Sequence, residues 1–306
     1  METRHVYILN PKAGTHDARA RLEAQLQALS PQPYTLYITS GPGDAAKFAA
    51  QVCAEDKSPL RLYACGGDGT LGEVAQGALG FAHVSVAAWP CGSGNDFVKM
   101  YGGAQRFVDL SRQSDAPAVP VDVIRVDGHA SINVVNVGLE AYAAAAVAKI
   151  RYSPVLGGKR AYYIGAAQAA LANTHVDCEI TADGNVLHSG PLMTASFASG
   201  KYIGGGFLCA PNAVNDDGLM EVTAIRPLTR VGIARLIGIY KRGDHLTHPA
   251  FKPYVAYARA RRVHISCAQE TDWCLDGEIV RGRGFDLEVL PGAIRFVVPP
   301  PAAGAD

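Results

Sequence analysis

The first hundred residues repeat one pattern, in which a short apolar run leads into a glycine-containing polar loop and then into a helical stretch. The runs with their loops are Val6–Leu9 before Asn10–Gly14, Leu36–Ile38 before Thr39–Asp44, Leu60–Cys65 before Gly66–Thr70, and Val84–Ala88 before Trp89–Asp96. Continuous apolar strands that alternate with helices are typical of a parallel sheet covered on both faces. The pattern therefore predicts an α/β domain over residues 1–120, with a doubly wound, mostly parallel sheet.

Beyond residue 120 the pattern changes to short strands separated by turn residues, with hairpin signals at Asp127-Gly128 and Asp183-Gly184. The predicted strands are Val121–Val126, His129–Val137, Val176–Thr181, Val186–Leu187, Leu192–Phe197, Met220–Ile225, Arg262–Ser266 and Ile294–Val298. Strands joined by hairpins favour a mainly antiparallel β-sandwich, here over residues 121–298. Two helical segments, Glu140–Ala172 and Thr229–Arg242, interrupt it, and residues 299–306 are predicted to form a frayed tail.

Two of the glycine loops carry the pattern of a phosphate site. Gly66–Thr70 lies between a strand and a helix, where glycines permit close approach and the backbone N–H groups of the helix start favour an anion. A carboxylate such as Asp68 repels phosphate unless a cation lies between them, so the loop indicates phosphate with Mg²⁺. One such loop is more often a tight turn with a capping aspartate, but Gly92–Asp96 repeats the arrangement one strand later.

Several nucleotide-binding classes are excluded by spacing. The chain contains no G-x-x-x-x-G-K-[ST] sequence, the turn after its first strand is not G-x-G-x-x-G, and the motif set of protein kinases is missing. Ligands of open parallel sheets bind beyond the carboxyl ends of the strands, which is where these loops are predicted to lie.

Charge and composition exclude several further classes of protein. The formal net charge of zero gives no overall attraction to nucleic acid or anionic lipid, and no apolar run of 18 residues predicts a membrane-spanning helix. The start at Met1 lacks a signal-peptide pattern. Seven scattered cysteines without a C-x-x-C pair argue against zinc and are typical of a reducing compartment, so we expect a cytoplasmic protein.

At this point the motifs resemble those of a known family. N-P-x-x-G at 10–14, G-G-D-G-T at 66–70 and G-S-G-N-D-F at 92–97 resemble the diacylglycerol kinase catalytic domain, in particular its bacterial YegS/DgkB-like soluble lipid kinases. The resemblance continues through G-G-G at 204–206, P-N-A at 211–213, D-D-G-L at 216–219 and D-G-E at 276–278. Four positions depart from the family pattern: Ala13, Gly72, Ser93 and Ser199.

The resemblance implies an ATP-dependent lipid kinase that phosphorylates a lipid hydroxyl, most simply that of diacylglycerol, with ATP and Mg²⁺ as cofactors. The implied partner is a lipid substrate met transiently at the membrane surface, with no nucleic acid and with a homodimer left open. The expected nucleotide-binding residues are Asn10, Pro11, Lys12, Gly14, Thr39, Gly66, Gly67, Asp68, Gly69, Thr70, Glu73, Gly92, Ser93, Gly94, Asn95 and Asp96.

The resemblance also implies catalytic and metal-binding residues. Glu278 is the implied proton acceptor, and Asp276 remains a rival as the base or as an orienting group. The candidate ligands of Mg²⁺ at the nucleotide are Asp68, Asp96 and Asp122, and a second, structural Mg²⁺ would bind the Asp217 side chain with the carbonyls of Val214 and Leu219. From the residues alone, D-G-E is more simply a hairpin turn, and D-D-G-L is also compatible with a turn into the strand Met220–Ile225.

Three alternatives stay open. An NAD kinase-like enzyme shares G-G-D-G-T, and a nucleotide-binding regulatory protein without catalysis would retain the same loops. The basic amphipathic segment Arg226–Arg242 is compatible with a membrane interface, but more simply with a helix that covers the sandwich.

Overall fold

A computed structural model describes residues 3–14, 17–29, 33–150, 159–172 and 175–301. The chain divides into two compact units, one formed by Met1–Val121 with Gly292–Asp306 and the other by Asp122–Pro291. Residues 292–298, which the sequence analysis assigned to the β-sandwich domain, therefore lie in the first unit. Residues 302–306 of the predicted tail lie outside the described part of the chain.

The first unit is built on a parallel sheet. Its strands are β1 (Arg4–Leu9), β2 (Tyr34–Ile38), β3 (Leu60–Gly66) and β4 (Val84–Pro90), and its helices are α1 (Ala18–Ala28), α2 (Asp44–Glu55) and α3 (Asp68–Ala78). The strands pair in the order β4-β3-β1-β2. Three short 3₁₀ turns, Phe97–Tyr101, Ala104–Phe107 and Leu110–Arg112, follow β4. The predicted α/β fold of the amino-terminal half is thus confirmed.

Burial explains why these segments form the sheet. Strands β1 and β3 are almost continuously buried, as apolar strands covered on two faces are. Tyr7 and Tyr63 stack with ring centroids 4.2 Å apart, and Leu22 of α1 packs with them in one core. The end of the chain adds a strand segment here, because Phe296 pairs in parallel with Val86.

The second unit is mainly antiparallel. Its strands are β5 (Ala118–Val126), β6 (His129–Ser131), β7 (Val134–Gly138), β8 (Val176–Ala182), β9 (Asn185–Leu192), β10 (Thr194–Ala198), β11 (Tyr202–Ile203), β12 (Phe207–Leu208), β13 (Met220–Ile225), β14 (Val255–Ala260), β15 (Arg262–Leu275) and β16 (Glu278–Val297). Strand β5 begins in the first unit and β16 ends in it. The order β14-β13-β10-β7-β15-β16 is antiparallel throughout, and the hairpin β8-β9 pairs with β15.

The sandwich predicted from the hairpin signals is confirmed, with differences in strand limits. The predicted strand His129–Val137 is split, because the N–H groups of Ile132 and Asn133 donate to the Asp276 side chain instead of to a neighbouring strand. Strands β15 and β16 are longer than predicted, and β14 was not predicted. One apolar core, which includes Phe197 and Trp273, underlies the sheet.

Among the described residues of the second unit, three segments form α-helices. Helices α4 (Leu139–Ile150) and α5 (Lys159–Ala172) match the predicted helical segment 140–172, except that α4 begins one residue earlier; residues 151–158 lie outside the described part of the chain. Helix α6 (Arg230–Lys241) begins after Thr229, whose hydroxyl accepts the Gly232 N–H at 3.1 Å as an N-cap. Its buried side chains Ile233 and Tyr240 join an apolar core, so the helix covers the sheet. Within the described ranges, no helix has both the length and the apolar character needed to span a bilayer.

Candidate functional site

The loops that follow β1, β3 and β4 meet at one edge of the parallel sheet. The Asn10 side-chain amide donates to the Thr70 hydroxyl at 3.2 Å, which joins the first loop to the start of α3. The Cys91 N–H donates to the Gly66 carbonyl at 2.9 Å, which joins the loop after β4 to the loop after β3. The three strands run in parallel with their carboxyl ends in register, so the predicted loops lie side by side.

Glycine is required where these loops touch. A Cβ on Gly92 would lie 2.5 Å from the Gly67 Cα, and a Cβ on Gly14 would lie 2.0 Å from the Cys91 carbonyl oxygen. Both distances are shorter than any side chain tolerates, so the backbones pack directly on one another. Gly14 also has a φ of 75°, in the region that favours glycine. The glycine motifs are therefore explained first by loop packing.

The packed loops leave a small recess at the start of α3. Its lining includes Gly66, Gly67, Asp68, Pro90 and Asn95. Gly67 is the N-cap of α3 and supplies no side chain to its first N–H groups, which leaves these donors directed at the space in front of the helix. The Asn95 side-chain oxygen is buried without a hydrogen-bond partner in the described structure. An anion-binding helix start and an unpaired acceptor are features that a polar ligand would satisfy.

One carboxylate, Asp68, lines this recess, and a second, Asp96, directly follows the lining residue Asn95. Asp68 accepts the Phe97 N–H at 3.0 Å and so ties the start of α3 to the segment after the second glycine loop. Asp96, the residue before Phe97, is buried and forms an ion pair with Lys99. Carboxylate oxygens suit Mg²⁺, so the donor set fits a metal ion carried by a nucleotide phosphate. Lys99, one helical turn from Asp96, was not identified from the sequence.

Other predicted nucleotide-binding residues have evident structural roles. Glu73 accepts the Ala45 N–H at 3.1 Å and caps α2, whose own N-cap is a glycine. Thr39 is buried, and its N–H donates to the Leu9 carbonyl at 2.9 Å. Lys12 donates its N–H to the Asn10 side chain at 3.0 Å and has an exposed side chain. None of these three residues lines the recess. Pro11, Gly69 and Ser93 are exposed and Gly94 is half-buried, all within the same loops.

In the second unit, Asp276 and Gly277 form the two-residue turn between β15 and β16. Both have positive φ, 49° and 96°, as in the hairpin turns that favour an Asp-Gly pair. Leu275 pairs with Glu278 across the turn. Asp276 is buried and Glu278 is exposed, so the two carboxylates of D-G-E have different environments.

The buried Asp276 carboxylate is surrounded by hydrogen-bond donors. It accepts from the Ser131 hydroxyl at 2.7 Å and from the N–H groups of Ile132, Asn133 and Val134 at 2.8, 3.2 and 3.0 Å. Burial raises the pKa of Asp276, and the four hydrogen bonds oppose that shift because they favour the ionised form. The carboxylate therefore organises the segment between β6 and β7, a role that D-G-E alone does not reveal.

The D-D-G-L segment is held by charged side chains. The fully buried Asp122 carboxylate accepts the Gly218 N–H at 2.6 Å, and the Asp122 N–H donates to the Asn215 carbonyl at 2.7 Å. Asp217 accepts the Leu219 N–H at 3.1 Å and forms an ion pair with Arg259. Arg259 also contacts Glu221 at 3.0 Å. Asp122 is thus an anchor of this segment.

The second Mg²⁺ site stays a prediction, and in this structure Asp217 has other partners. Both oxygens of Asp217 are engaged, and a guanidinium already balances its charge. Leu219 contacts Asp217 through its N–H, and the predicted site would use the carbonyls of Leu219 and Val214. Across the described residues, no three His, Cys, Asp or Glu side chains are gathered as a metal centre. Arg259 could not be identified from sequence, because 42 residues separate it from Asp217.

Substitution of Asp217 tests whether this segment responds to metal. Because Arg259 already pairs with Asp217, we expect Mg²⁺, added without nucleotide, to shift the thermal unfolding midpoint equally in the wild type and in Asp217→Asn. A metal that binds only the folded state would give a shift that grows with its concentration. A Mg²⁺-dependent rise in the wild type that is lost in Asp217→Asn would instead support the metal site.

Two protein-family models match this chain, one in each half. Residues 4–126 match the model of the diacylglycerol kinase catalytic domain, and residues 133–298 match that of the YegS C-terminal NAD kinase beta sandwich-like domain. The two matches define the class: an amino-terminal diacylglycerol kinase catalytic domain followed by a β-sandwich of the YegS type. The chain belongs to the family of YegS-like proteins, as its motifs predicted.

Individual relatives span most of the chain. A protein of Pseudomonas aeruginosa named probable lipid kinase YegS-like is 29% identical over 290 residues, which cover 94% of this chain and 91% of the relative. One of Shewanella frigidimarina with the same name is 28% identical over 220 residues, or 71% and 68% of the two chains. A crystal structure described as a putative diacylglycerol kinase from Bacillus anthracis has a TM-score of 0.75 at 23% identity and covers 97% of both chains, which shows the shared fold.

Proposed function

We propose that this protein is an ATP-dependent lipid kinase that transfers the γ-phosphate of ATP to the hydroxyl of diacylglycerol and so forms phosphatidic acid. The observation that carries the proposal is the direct packing of the two glycine loops, Gly67 against Gly92, at the uncapped start of α3. The match to the diacylglycerol kinase catalytic domain and the names of the relatives support a lipid as the acceptor.

The first unit is the proposed binding site of the phosphate donor. Backbone N–H groups at the start of α3 and in the loop around Gly92 would bind the phosphate oxygens. Asp68 and Asp96 would orient Mg²⁺ on the nucleotide, and Asn95 would satisfy its unpaired side-chain oxygen with a donor of the ligand. The Mg²⁺, when bound, offsets the negative charge of the phosphates. Asn10 and Thr70 would hold the loops in place through their mutual hydrogen bond.

The second unit is the proposed source of the base. Asp276 is buried, and four donors hold its carboxylate in place, which suits a positioning role better than direct contact with a lipid hydroxyl. Glu278 is two residues away, exposed and at the start of β16. We therefore assign proton acceptance to Glu278, whose carboxylate would take the proton of the attacking lipid hydroxyl. Asp276 would hold the turn that presents it.

A transfer assay tests the function and its rivals together. Purified protein is incubated with radiolabelled ATP and Mg²⁺, and with mixed micelles that each contain one lipid: diacylglycerol, monoacylglycerol, ceramide or sphingosine. We expect labelled phosphatidic acid as the main product. Label transferred to NAD in a parallel reaction would support the NAD kinase alternative. ATP binding with no transfer to any acceptor would support a regulatory protein.

Substitution of Gly67 tests the donor site. Gly67 has an extended backbone, and an added Cβ would lie 3.4 Å from the Gly92 Cα, an ordinary contact. Gly67→Val should therefore fold but obstruct the approach of a phosphate to the helix start. Loss of one or two hydrogen bonds to a charged group corresponds to roughly 10–100-fold weaker ATP binding, which calorimetric titration would measure.

Gly238→Val is the matched control, because Gly238 lies on the exposed side of α6 and an added Cβ would come no closer than 3.7 Å to Arg242. This control should bind ATP as the wild type does. Equal affinities for ATP in Gly67→Val and in the wild type would remove the loop from the donor site.

A further inference from the structure

Two cysteines outside the proposed active site form a pair on neighbouring strands. Cys178 of β8 lies directly opposite Cys267 of β15 in the antiparallel ladder. Both are free thiols, 6% and 8% exposed. They are separated by about 90 residues of chain, so only the fold brings them together.

The register shows that the pair occupies the closer kind of ladder position. The Asp183 N–H donates to the carbonyl of the opposite residue, Arg262, at 2.9 Å, which makes 183 and 262 a hydrogen-bonded pair. Pairs alternate along an antiparallel ladder, so Cys178 and Cys267, five positions further on, form a non-hydrogen-bonded pair. The Cα atoms of such pairs are roughly 4.5 Å apart, within the range of about 4.4–6.8 Å found for disulfides.

The surroundings of the pair leave room for a small oxidant. On its other side Cys178 pairs with Gly190 of β9, and no atom lies within 4 Å of the position that a Cβ of Gly190 would occupy. After Cys267, the residues 268–270 are all exposed, and the ladder between β15 and β16 is shifted between Ser266 and Thr271. Both cysteines belong to the apolar core cluster of the sandwich, and the open space at Gly190 and the exposed residues 268–270 are where a small oxidant would approach them.

We propose that Cys178 and Cys267 are a redox modification site, at which a peroxide converts two thiols into a cross-strand disulfide. The Cys267 thiolate attacks the peroxide oxygen, the O–O bond breaks, and Cys267 becomes a sulfenic acid as one water or alcohol leaves. The Cys178 sulfur then attacks the Cys267 sulfur, the S–O bond breaks, and the hydroxyl leaves as water with the Cys178 proton. Two thiols are oxidised by two electrons and one peroxide is reduced.

The order of these steps follows from the position of Cys267 on β15. Cys267 directly precedes the exposed residues 268–270, so a peroxide reaches its sulfur first. The thiolate is the nucleophile in such reactions. Cys267 therefore reacts first, and Cys178 resolves the sulfenic acid.

Peptide mapping after oxidation tests the proposal. The native protein is treated with a small excess of hydrogen peroxide, the remaining thiols are alkylated, and the digest is analysed by mass spectrometry without reduction. We expect a linked peptide pair containing Cys178 and Cys267, and five alkylated cysteines of the seven in the chain. The thermal unfolding midpoint should rise on the order of 5–10 °C, because the bridge closes a long loop, and should return after reduction.

Two alanine variants complete the test. Cys178→Ala should lose the linked peptide and the rise in midpoint, whereas Cys274→Ala, a buried cysteine on the same β15 strand, should keep both. Oxidised wild type in which Cys178 and Cys267 remain fully alkylated, or carry separate sulfinic acids, would overturn the proposal. The mapping uses wild-type protein, so it decides the question even where a variant fails to fold.

Discussion

Glu278→Gln is expected to lower the turnover number for lipid phosphorylation by ~10²–10⁴, the usual contribution of a positioned general base. Glutamine keeps the size and polarity of the side chain but cannot take the proton of the attacking hydroxyl. Because Glu278 is exposed at the start of β16, neither the fold nor ATP binding should change. Steady-state kinetics with diacylglycerol micelles, together with calorimetric ATP titration, would measure both quantities.

The matched control is Glu270→Gln, which removes another exposed carboxylate from the preceding strand β15. We expect its turnover to stay within a factor of about two of the wild type, since surface changes away from special contacts have small effects. A Glu278→Gln enzyme with the turnover of the wild type would show that another group accepts the proton.

Asp276→Ala should have the largest effect on stability. The substitution leaves the Ser131 hydroxyl and three backbone N–H groups buried without their acceptor. A buried donor without a partner costs roughly 1–3 kcal/mol, so a loss on the order of 4 kcal/mol in the free energy of unfolding is expected. That is a large share of the roughly 5–15 kcal/mol that stabilise a typical domain. Thermal and urea unfolding would measure the loss.

Asp272→Ala provides the comparison for this experiment. Asp272 lies on β15, shortly before the turn that contains Asp276, but its ion pair with Arg281 at 2.9 Å is exposed, and such pairs contribute about 0–1 kcal/mol. Its unfolding should therefore resemble that of the wild type. An Asp276→Ala protein of unchanged stability whose turnover is lost would make Asp276 a catalytic group instead of a structural one.

The fold was largely predictable, because the apolar pattern and the glycine loops are local signals. Three Asp-Gly turns illustrate both the strength and the limit of such signals. Asp127, Asp183 and Asp276 all have positive φ in tight hairpins, as Asp-Gly predicts. However, Asp127 is exposed, Asp183 binds the N–H groups of residues 261 and 262, and Asp276 binds a segment more than 140 residues away. The sequence shows the turn but not what the carboxylate meets.

The site was predictable only in part, for the same reason. The positions of the loops follow from the strands that precede them, which the apolar pattern predicts. The partners of individual side chains depend instead on packing between segments that are distant in sequence. The Glu73 side chain caps α2 because the N-cap residue Gly43 has no side chain. Arg259 of β14 forms an ion pair with Asp217, which lies in the loop before β13. The length of β16 was not predicted, because Gly282, Gly284 and Pro291 are residues that usually interrupt a strand.

The return of β16 to the first unit has a consequence for biosynthesis. Phe296 is fully buried, lies beside Val86 of β4 and packs edge-on against Phe97 with ring centroids 5.0 Å apart. A nascent chain that has emerged only as far as residue 121 therefore lacks part of its amino-terminal core. While the ribosome translates the whole sandwich, that gap stays open to solvent and to chaperones. The nucleotide-binding unit, although encoded first, is the last to be completed.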